Sequence, residues 1–296
     1  MDRKISFFSS LNAPYYIYGL DYRQQSAGVR VLHYLCHTLN ELGEEAYIFA
    51  NVTSPYLRSP QLTEEVMLRH ASIGRLPIAI YPEIVQGNPM QAPVVARWLL
   101  NKPGHIGGDA VHHPDELLFV YQQKYAPEGA VTHPLYIPAV NGRIFNDWDQ
   151  TYLNRRQGAC YYAHKYLFFG GKLTHHAQGA TSLCQDIPRS HEEIAEILRR
   201  SEVLYTYEPS AIVSEALQCG CPVVMVPSDY LTQNYSFSEL TGPGVEIGTD
   251  DQALARAKET LKNLNVQRQH DHARLTIQRF IDLTQQTFRE RTGKVR

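Results

Sequence analysis

Residues 203–227 have the sequence VLYTYEPSAIVSEALQCGCPVVMVP, and this stretch decides the fold class. The apolar, β-branched run 203–207 has the length of a buried strand, and Pro209 marks a tight turn after it. Residues 211–218 predict a helix that ends at the following glycine, and 223–226 predict the next buried strand. Strand, helix and strand in direct succession are typical of a parallel, doubly wound α/β sheet.

The same alternation extends outward over the rest of the chain. Apart from the stretch above, the predicted strands are 4–9, 46–50, 76–81, 117–121, 135–137, 159–163, 181–187 and 245–247, and the predicted helices are 24–42, 62–73, 93–100, 190–200, 251–264 and 270–289. Residues 24–42 carry an apolar stripe at spacings of three, four and seven. Ser190 and Glu193 form the capping-box pattern that starts a helix. Two series of strands and helices therefore follow each other along the chain.

Polar, turn-rich residues 138–157 separate the two series, so we expect a domain boundary there. The first domain is predicted to span 1–145 and the second 158–275, each with a Rossmann-like parallel sheet. The fold class is accordingly α/β. The chain length of 296 residues fits two domains of ordinary size.

Composition narrows the classes of function. The net charge is −2 and no domain is strongly basic, which argues against a nucleic-acid partner. The five cysteines are scattered without a CxxC pair, which favours buried thiols in a reducing compartment. No signal peptide and no apolar stretch of transmembrane length is visible, so we expect a cytoplasmic protein. The basic C-terminal residues, Arg289, Arg291, Lys294 and Arg296, form either a solvated tail or a weak peripheral contact with a membrane.

Two glutamates and a helix start make residues 208–215 a candidate ligand site. The first N–H groups of the predicted helix, at Ser210, Ala211 and Ile212, lack intrahelical partners and suit a phosphate or diphosphate. Glu215 follows further along the helix among apolar residues, and a carboxylate can accept two hydroxyl donors from a ribose or sugar. Glu208 and Glu215 could equally cap the helix or pair at a surface.

Residues 215–224, EALQCGCPVV, resemble the donor-site helix of retaining GT-B glycosyltransferases, in particular the large family-four (group 1) enzymes of bacterial polysaccharide synthesis. The resemblance implies that Glu215 binds the ribose hydroxyls of a nucleotide sugar. It places Glu208 at the donor sugar as a catalytic residue, and the backbone of Ser210, Ala211 and Ile212 at the diphosphate. Six residues separate the two glutamates here, where the family usually has seven.

Further residues gain candidate roles from this resemblance in the two domains. Ala27 and Gly28, in the loop before the first long helix, would let the backbone approach the diphosphate or acceptor. Lys165 follows the strand 159–163, where the family often places a basic residue for the diphosphate. Arg143 and Lys172 are its rivals.

A histidine of the first domain contacts the donor sugar in related enzymes. His105, beside two glycines in a predicted loop, is the first candidate for this catalytic role, with His112 and His113 behind it. Each could also be an ordinary loop histidine. The tyrosines of the first loop region, Tyr15, Tyr16, Tyr18 and Tyr22, either stack on sugars or pack in the core.

By this resemblance, the chain is a glycosyltransferase with the GT-B fold and an interdomain cleft. Its C-terminal helix, 270–290, would pack back toward the first domain. The donor would be a nucleotide-diphosphate sugar, the acceptor a glycan or glycolipid in surface polysaccharide or lipopolysaccharide synthesis, and the transfer retaining and metal-independent, with no cofactor. Asp147 and Asp149 form a D-x-D pattern that could instead hold a divalent ion. A sugar-nucleotide epimerase or a non-catalytic nucleotide-sugar-binding subunit would fit the same two-domain fold.

Overall fold

The computed structural model describes residues 12–148, 155–235 and 240–293. These form two compact units: the first contains the residues up to Ala139 and from Gln269 onward, and the second contains Val140–Arg268. The predicted strand 4–9, and Asp149 of the D-x-D pattern, lie outside the described residues. In those ranges, no helix is long and apolar enough to cross a membrane.

The first unit holds a six-stranded parallel sheet in the order β2-β1-β3-β4-β5-β6. Its strands are β1 (Tyr15–Tyr18), β2 (Ala46–Phe49), β3 (Ile78–Pro82), β4 (Val94–Leu99), β5 (Leu117–Val120) and β6 (Thr132–Pro134), with helices α1 (Ala27–Glu41) and α2 (Glu64–Ser72) and a 3-10 turn at Gln123–Tyr125. α1 starts at its N-cap Ser26 and buries its predicted apolar stripe, including Leu32, Leu35 and Leu39, against the sheet.

The second unit holds a five-stranded sheet in the order β11-β10-β9-β7-β8, again all parallel. Its strands are β7 (Ala159–Tyr162), β8 (Thr181–Ser182), β9 (Val203–Thr206), β10 (Val223–Met225) and β11 (Val245–Ile247), with helices α3 (His164–Phe168), α4 (His191–Arg200), α5 (Ala211–Gln218), α6 (Asp229–Asn234) and α7 (Asp251–Leu261) and a 3-10 turn at His175–Ala177. The predicted capping box at Ser190 and Glu193 is present at the start of α4.

The last helix, α8 (Val266–Thr292), completes the core of the first unit. The Phe280 ring lies 4.7 Å from the ring of Phe119 and 5.7 Å from that of Tyr15. The Tyr15 hydroxyl bonds Thr284 Oγ1 at 2.9 Å. The last helix of the chain thus packs against β1, near the start of the chain, and against β5.

Both sheets share one strand order. Numbered from its own first strand, each sheet begins 2-1-3-4-5, so the direction of winding reverses between its first and third strands. This is a doubly wound α/β arrangement. The predicted fold class, with two Rossmann-like units and parallel sheets, is confirmed.

Three predicted elements were wrong. Residues 93–100 form strand β4 and not a helix, because Val94–Leu99 is buried along its whole length between β3 and β5. A strand covered on both faces shows a continuous apolar run that a short helix also shows.

The other two errors concern strand ends. The strand predicted at 135–137 lies three residues earlier, at Thr132–Pro134, because Thr276 Oγ1 accepts the N–H of Tyr136 at 3.1 Å. Leu135 and Ile137 are buried in the core, and the Leu135 N–H still donates to the Val120 carbonyl of β5 at 3.0 Å. The strand predicted at 181–187 ends after two residues.

Candidate functional site

The strand order of the second sheet reverses between β7 and β9. β7 lies between β8 and β9, so the connections that leave β7 and β8 run to opposite sides. In doubly wound sheets, ligands bind outside the carboxyl ends of the strands at this switch point. The residues directly after β7 and β9 include Lys165 and Glu208. Two of the site residues that the sequence predicts for the second unit therefore lie at this edge.

Glu208 is a buried carboxylate that connects the two strands. It follows β9 by two residues, and its side chain is inaccessible to solvent. Its Oε2 accepts the backbone N–H of Tyr166 at 2.7 Å, in helix α3, which follows β7. Burial raises the pKa of Glu208, while the Tyr166 N–H, the Lys165 charge and the Lys165 N–H oppose the rise. One carboxylate oxygen is thus committed to the start of α3.

The other carboxylate oxygen, Oε1, is buried and has no hydrogen-bond partner among the residues that the structure describes. The same is true of the Ser210 hydroxyl, two residues further along the chain. An unsatisfied buried polar group costs about 1–3 kcal/mol. Two such groups beside a switch point make this edge a candidate ligand site.

The start of α5 lies next to these atoms in the chain. Ser210 occupies the N-cap position with extended backbone (φ −152°, ψ 176°), but its hydroxyl makes no capping bond. The N–H groups of Ala211 and Ile212 therefore receive no acceptor from this side chain. A helix start in this condition can bind a phosphate or another anion.

Glu215 lies in α5, and only 4% of it is exposed. Its helix is held at the far end by Arg156, whose Nη2 donates to the Cys219 carbonyl at 2.7 Å. Gly220 ends α5 with a φ of +70°, and a Cβ there would lie 2.9 Å from Arg156 Nη2. The left-handed backbone conformation therefore favours glycine at this turn.

Lys165 lies in the first turn of α3, with an exposed side chain near Glu208. The structure therefore brings together the candidates of the second unit at one sheet edge and its adjoining helix: Lys165, Glu208, Ser210, Ala211, Ile212 and Glu215. The rivals of Lys165, Arg143 and Lys172, are also exposed. The binding roles of all these residues stay predictions.

The remaining candidates belong to the first unit. Ala27 and Gly28 open α1, and a Cβ at Gly28 would meet no atom within 4 Å, so packing does not require glycine there. His105 is an exposed loop residue. The His112 side chain, by contrast, is only 2% exposed, and both its ring nitrogens lack hydrogen-bond partners within the described ranges. Burial lowers the pKa of His112 and favours the neutral imidazole.

The sequence pattern did not predict the aromatic residues around Glu208. The rings of Tyr166 and Tyr207 stack at 5.1 Å, and Tyr230 on α6 packs edge-on to Tyr166 at 6.0 Å. The aromatic density of residues 161–169, YYAHKYLFF, was the available signal. Of the tyrosines weighed as sugar-stacking residues, Tyr15, Tyr16 and Tyr18 form strand β1, and the first two are buried in the core.

No group of three or more histidine, cysteine, aspartate or glutamate side chains suited to a metal ion occurs in 12–148, 155–235 and 240–293. The D-x-D pattern falls partly on Asp149, outside these ranges. All five cysteines are buried free thiols, and none of them forms a disulfide. A metal role for Asp147 therefore stays a prediction.

Comparisons with known proteins agree with the architecture. No protein-family model matches the chain, and no curated protein matches it. Among solved structures, the glycotransferase of kitacinnamycin is similar over 93% of this chain and 99% of its own, with a TM-score of 0.50 and 12% identity. The glycosyltransferase SnogD from Streptomyces nogalater is 13% identical, with a TM-score of 0.42 over 90% of this chain and 99% of its own. At 12% identity the first of these likenesses shows the fold alone, which is GT-B, with two Rossmann-like units.

Proposed function

We propose that the protein transfers a sugar from a nucleotide-diphosphate sugar to a hydroxyl group of a glycan or glycolipid. The observation that carries this proposal is the unpartnered Oε1 of Glu208 beside the uncapped start of α5. A hydroxyl-rich, diphosphate-bearing ligand matches both features, because its hydroxyls donate to a carboxylate and its phosphates accept from N–H groups. The GT-B fold, and the resemblance of residues 215–224, support the same ligand class.

The residues have distinct roles in this proposal. The N–H groups of Ala211 and Ile212, with the Lys165 ammonium, stabilise the negative charge that grows on the departing diphosphate. Glu215 accepts the ribose hydroxyls, and Glu208 Oε1 accepts a hydroxyl of the donor sugar. The bond between the sugar C1 and the diphosphate oxygen breaks, C1 bonds the acceptor oxygen, and the proton of the acceptor hydroxyl passes to the departing diphosphate.

The finer parts of the proposal rest on the family resemblance. They are retention of the anomeric configuration, independence from metal ions, a place in surface polysaccharide or lipopolysaccharide synthesis, and contributions from Ala27, Gly28 and His105. The functional domains of 1–145 and 158–275 are part of the same proposal.

A thermal-shift screen over nucleoside diphosphates and sugar nucleotides tests the proposal first. A ligand at a hundred times its Kd should stabilise the protein by about 2.7 kcal/mol. At least one of these ligands should raise Tm, and Glu215→Ala should weaken the best one. A screen in which no ligand shifts Tm would contradict the proposal.

Turnover assays then separate the activities. Donor should be consumed with release of the nucleoside diphosphate when a glycan or glycolipid acceptor is added. Conversion of the donor sugar to an epimer without any acceptor would instead identify an epimerase. Tight binding without turnover under either condition would identify a non-catalytic subunit.

A further inference from the structure

Residues 164–173, HKYLFFGGKL, form an exposed segment that we call the aromatic-basic segment. Phe168 is 82% exposed and Phe169 is 68% exposed, and their rings pack edge-on at 5.2 Å. Leu167 and Leu173 are 38% and 40% exposed. Single exposed apolar residues are ordinary, but four within seven positions form a patch of the kind that marks an interaction surface.

The segment is an ordered structure and not a loose loop. Its start is held by the Tyr166 N–H bond to Glu208, and the Tyr166 hydroxyl donates to the Lys172 carbonyl at 3.0 Å. Gly171 lies flat on the Tyr166 ring, since a Cβ there would lie 2.4 Å from ring atoms. These contacts close the chain into a compact turn, with the apolar side chains on its outside.

The far end of the segment is held by the same strand end. Thr174 donates its N–H to the Tyr207 hydroxyl at 3.1 Å, so Tyr207 and Glu208 hold the two ends of the turn. Phe169 also stacks on Tyr230 of α6 at 6.0 Å. Phe168, the most exposed residue of the patch, thus lies on a turn that is held at both ends.

The charge around the patch is positive. The segment itself contains two lysines and no aspartate or glutamate. The side chains of Lys165 and Lys172 are exposed on either side of the two phenylalanines. Aromatic side chains flanked by lysines suit the interface of a bilayer with anionic headgroups, where the rings lie at headgroup level.

The basic C-terminal residues offer a weaker surface. Arg291 donates from Nη2 to the Asp115 carbonyl at 2.6 Å and from Nη1 to the Pro93 carbonyl at 3.3 Å. Its charge is therefore engaged within the first unit. Lys294 and Arg296 lie outside the described residues.

We propose that the aromatic-basic segment docks on an anionic lipid bilayer, with Phe168 and Phe169 entering the interface and Lys172 next to lipid phosphates. This docking is independent of sugar transfer. A small patch with few charges binds reversibly, and its affinity decreases as salt screens the lysines.

Vesicle flotation tests the docking with the full chain. Vesicles of phosphatidylglycerol and phosphatidylcholine are compared with vesicles of phosphatidylcholine alone, at low and high salt. The variant F168S/F169S is compared with the matched control L68S/V131S, whose residues are 62% and 80% exposed in the first unit. Thermal unfolding and the nucleotide thermal shift confirm that each variant is folded.

The wild type and the control should float with the anionic vesicles, and salt should reduce the bound fraction. F168S/F169S should bind about tenfold more weakly or worse, because two apolar side chains no longer enter the interface. Equal flotation of F168S/F169S and wild type would overturn the proposal, as would equal binding to neutral vesicles. Self-association in sedimentation experiments that F168S/F169S abolishes, without flotation of the wild type, would assign the patch to a second copy of the chain.

Discussion

Glu83 and Glu208 occupy corresponding positions in the two units. Each follows the third strand of its sheet, next to the point where the strand order reverses, and each is buried. Glu83 Oε2 accepts the N–H of Leu100, directly after β4, and Glu208 Oε2 accepts the N–H of Tyr166. Burial raises the pKa of both carboxyls. The same fold has thus placed the same chemical group at the same kind of edge twice.

The two edges differ in what surrounds the carboxylate. A Cβ at Gly108 would lie 2.0 Å from the Glu83 carbonyl oxygen, so the loop of 101–116 packs its backbone directly on this turn. At the second edge, Glu208 Oε1 and Ser210 Oγ lack partners among the described residues. The first edge has one comparable group, the buried ring of His112, whose two nitrogens lack hydrogen-bond partners among the described residues. The first glutamate thus mainly holds loops, whereas the second holds α3, and we propose that its other oxygen accepts from a ligand.

Arg97 makes the first edge a structural one, and its removal should have the largest effect. Its Nε and Nη2 bond the two oxygens of Glu116 at 2.8 and 3.0 Å, and Nη2 also bonds the Gly87 carbonyl at 2.7 Å. Arg97→Ala leaves a mostly buried carboxylate unpaired, so the free energy of unfolding should fall by about 3–5 kcal/mol in urea denaturation. Arg143→Ala, at an exposed arginine, is the control. A loss below about 1 kcal/mol would show that the pair is not required.

Glu208→Gln tests the second edge by activity. The glutamine oxygen can still accept the Tyr166 N–H, but the negative charge is gone and Oε1 is no longer a carboxylate acceptor. Turnover of the donor should fall about a hundredfold, the size of effect seen when one transition-state hydrogen bond is removed. Glu83→Gln should keep the wild-type rate. If the two variants lose activity equally, the distinction between the edges is wrong.

Glu83 should make stability depend on pH. Its pKa is raised above the ordinary value of 4.5, so the folded protein binds the proton more tightly than the unfolded chain. The contribution is favourable below pH 4.5 and is lost as pH rises through the folded pKa. As pH rises from about 4.5 to 7, the free energy of unfolding, measured by urea denaturation, should therefore decrease less for Glu83→Gln than for wild type. Identical pH profiles would contradict this assignment.

Two serines at helix starts give the smallest and most selective effect. Ser190 accepts the N–H of Glu193 in a full capping box, whereas Ser210 makes no capping bond. Ser190→Ala should therefore cost about 1 kcal/mol of stability, and Ser210→Ala only a few tenths. Ser210→Ala should instead weaken nucleotide-diphosphate binding in calorimetry. A stability loss at Ser210 equal to that at Ser190 would mean that its hydroxyl caps α5.

The sequence predicted the second sheet better than the first, for physical reasons. The helix 211–218 and strand 245–247 match the structure residue for residue, because turn residues punctuate both. β4 was misassigned because burial on both faces removes the alternation that identifies a strand. The helix α3 was not predicted, since its five residues carry no periodic pattern and its start is held by Glu208.

The candidate site was also predictable only in part. Its helix start and both glutamates could be read from residues 203–227 alone. The bond from Tyr166 to Glu208 joins residues 42 apart in the sequence, and no local pattern records it. The contrast between Glu83 and Glu208 likewise depends on tertiary packing, which the spacing of residues along the sequence does not show.

Hydrogen exchange of backbone amides, with and without saturating nucleoside diphosphate, tests the central claim most directly. Binding at the second edge should slow exchange in peptides that cover 164–168 and 208–214, at Tyr166 and at the start of α5, and should leave peptides covering 83–87 unchanged. Glu208→Gln should reduce this protection. Protection confined to the edge at Glu83, or none at the second edge while the ligand is bound, would contradict the account.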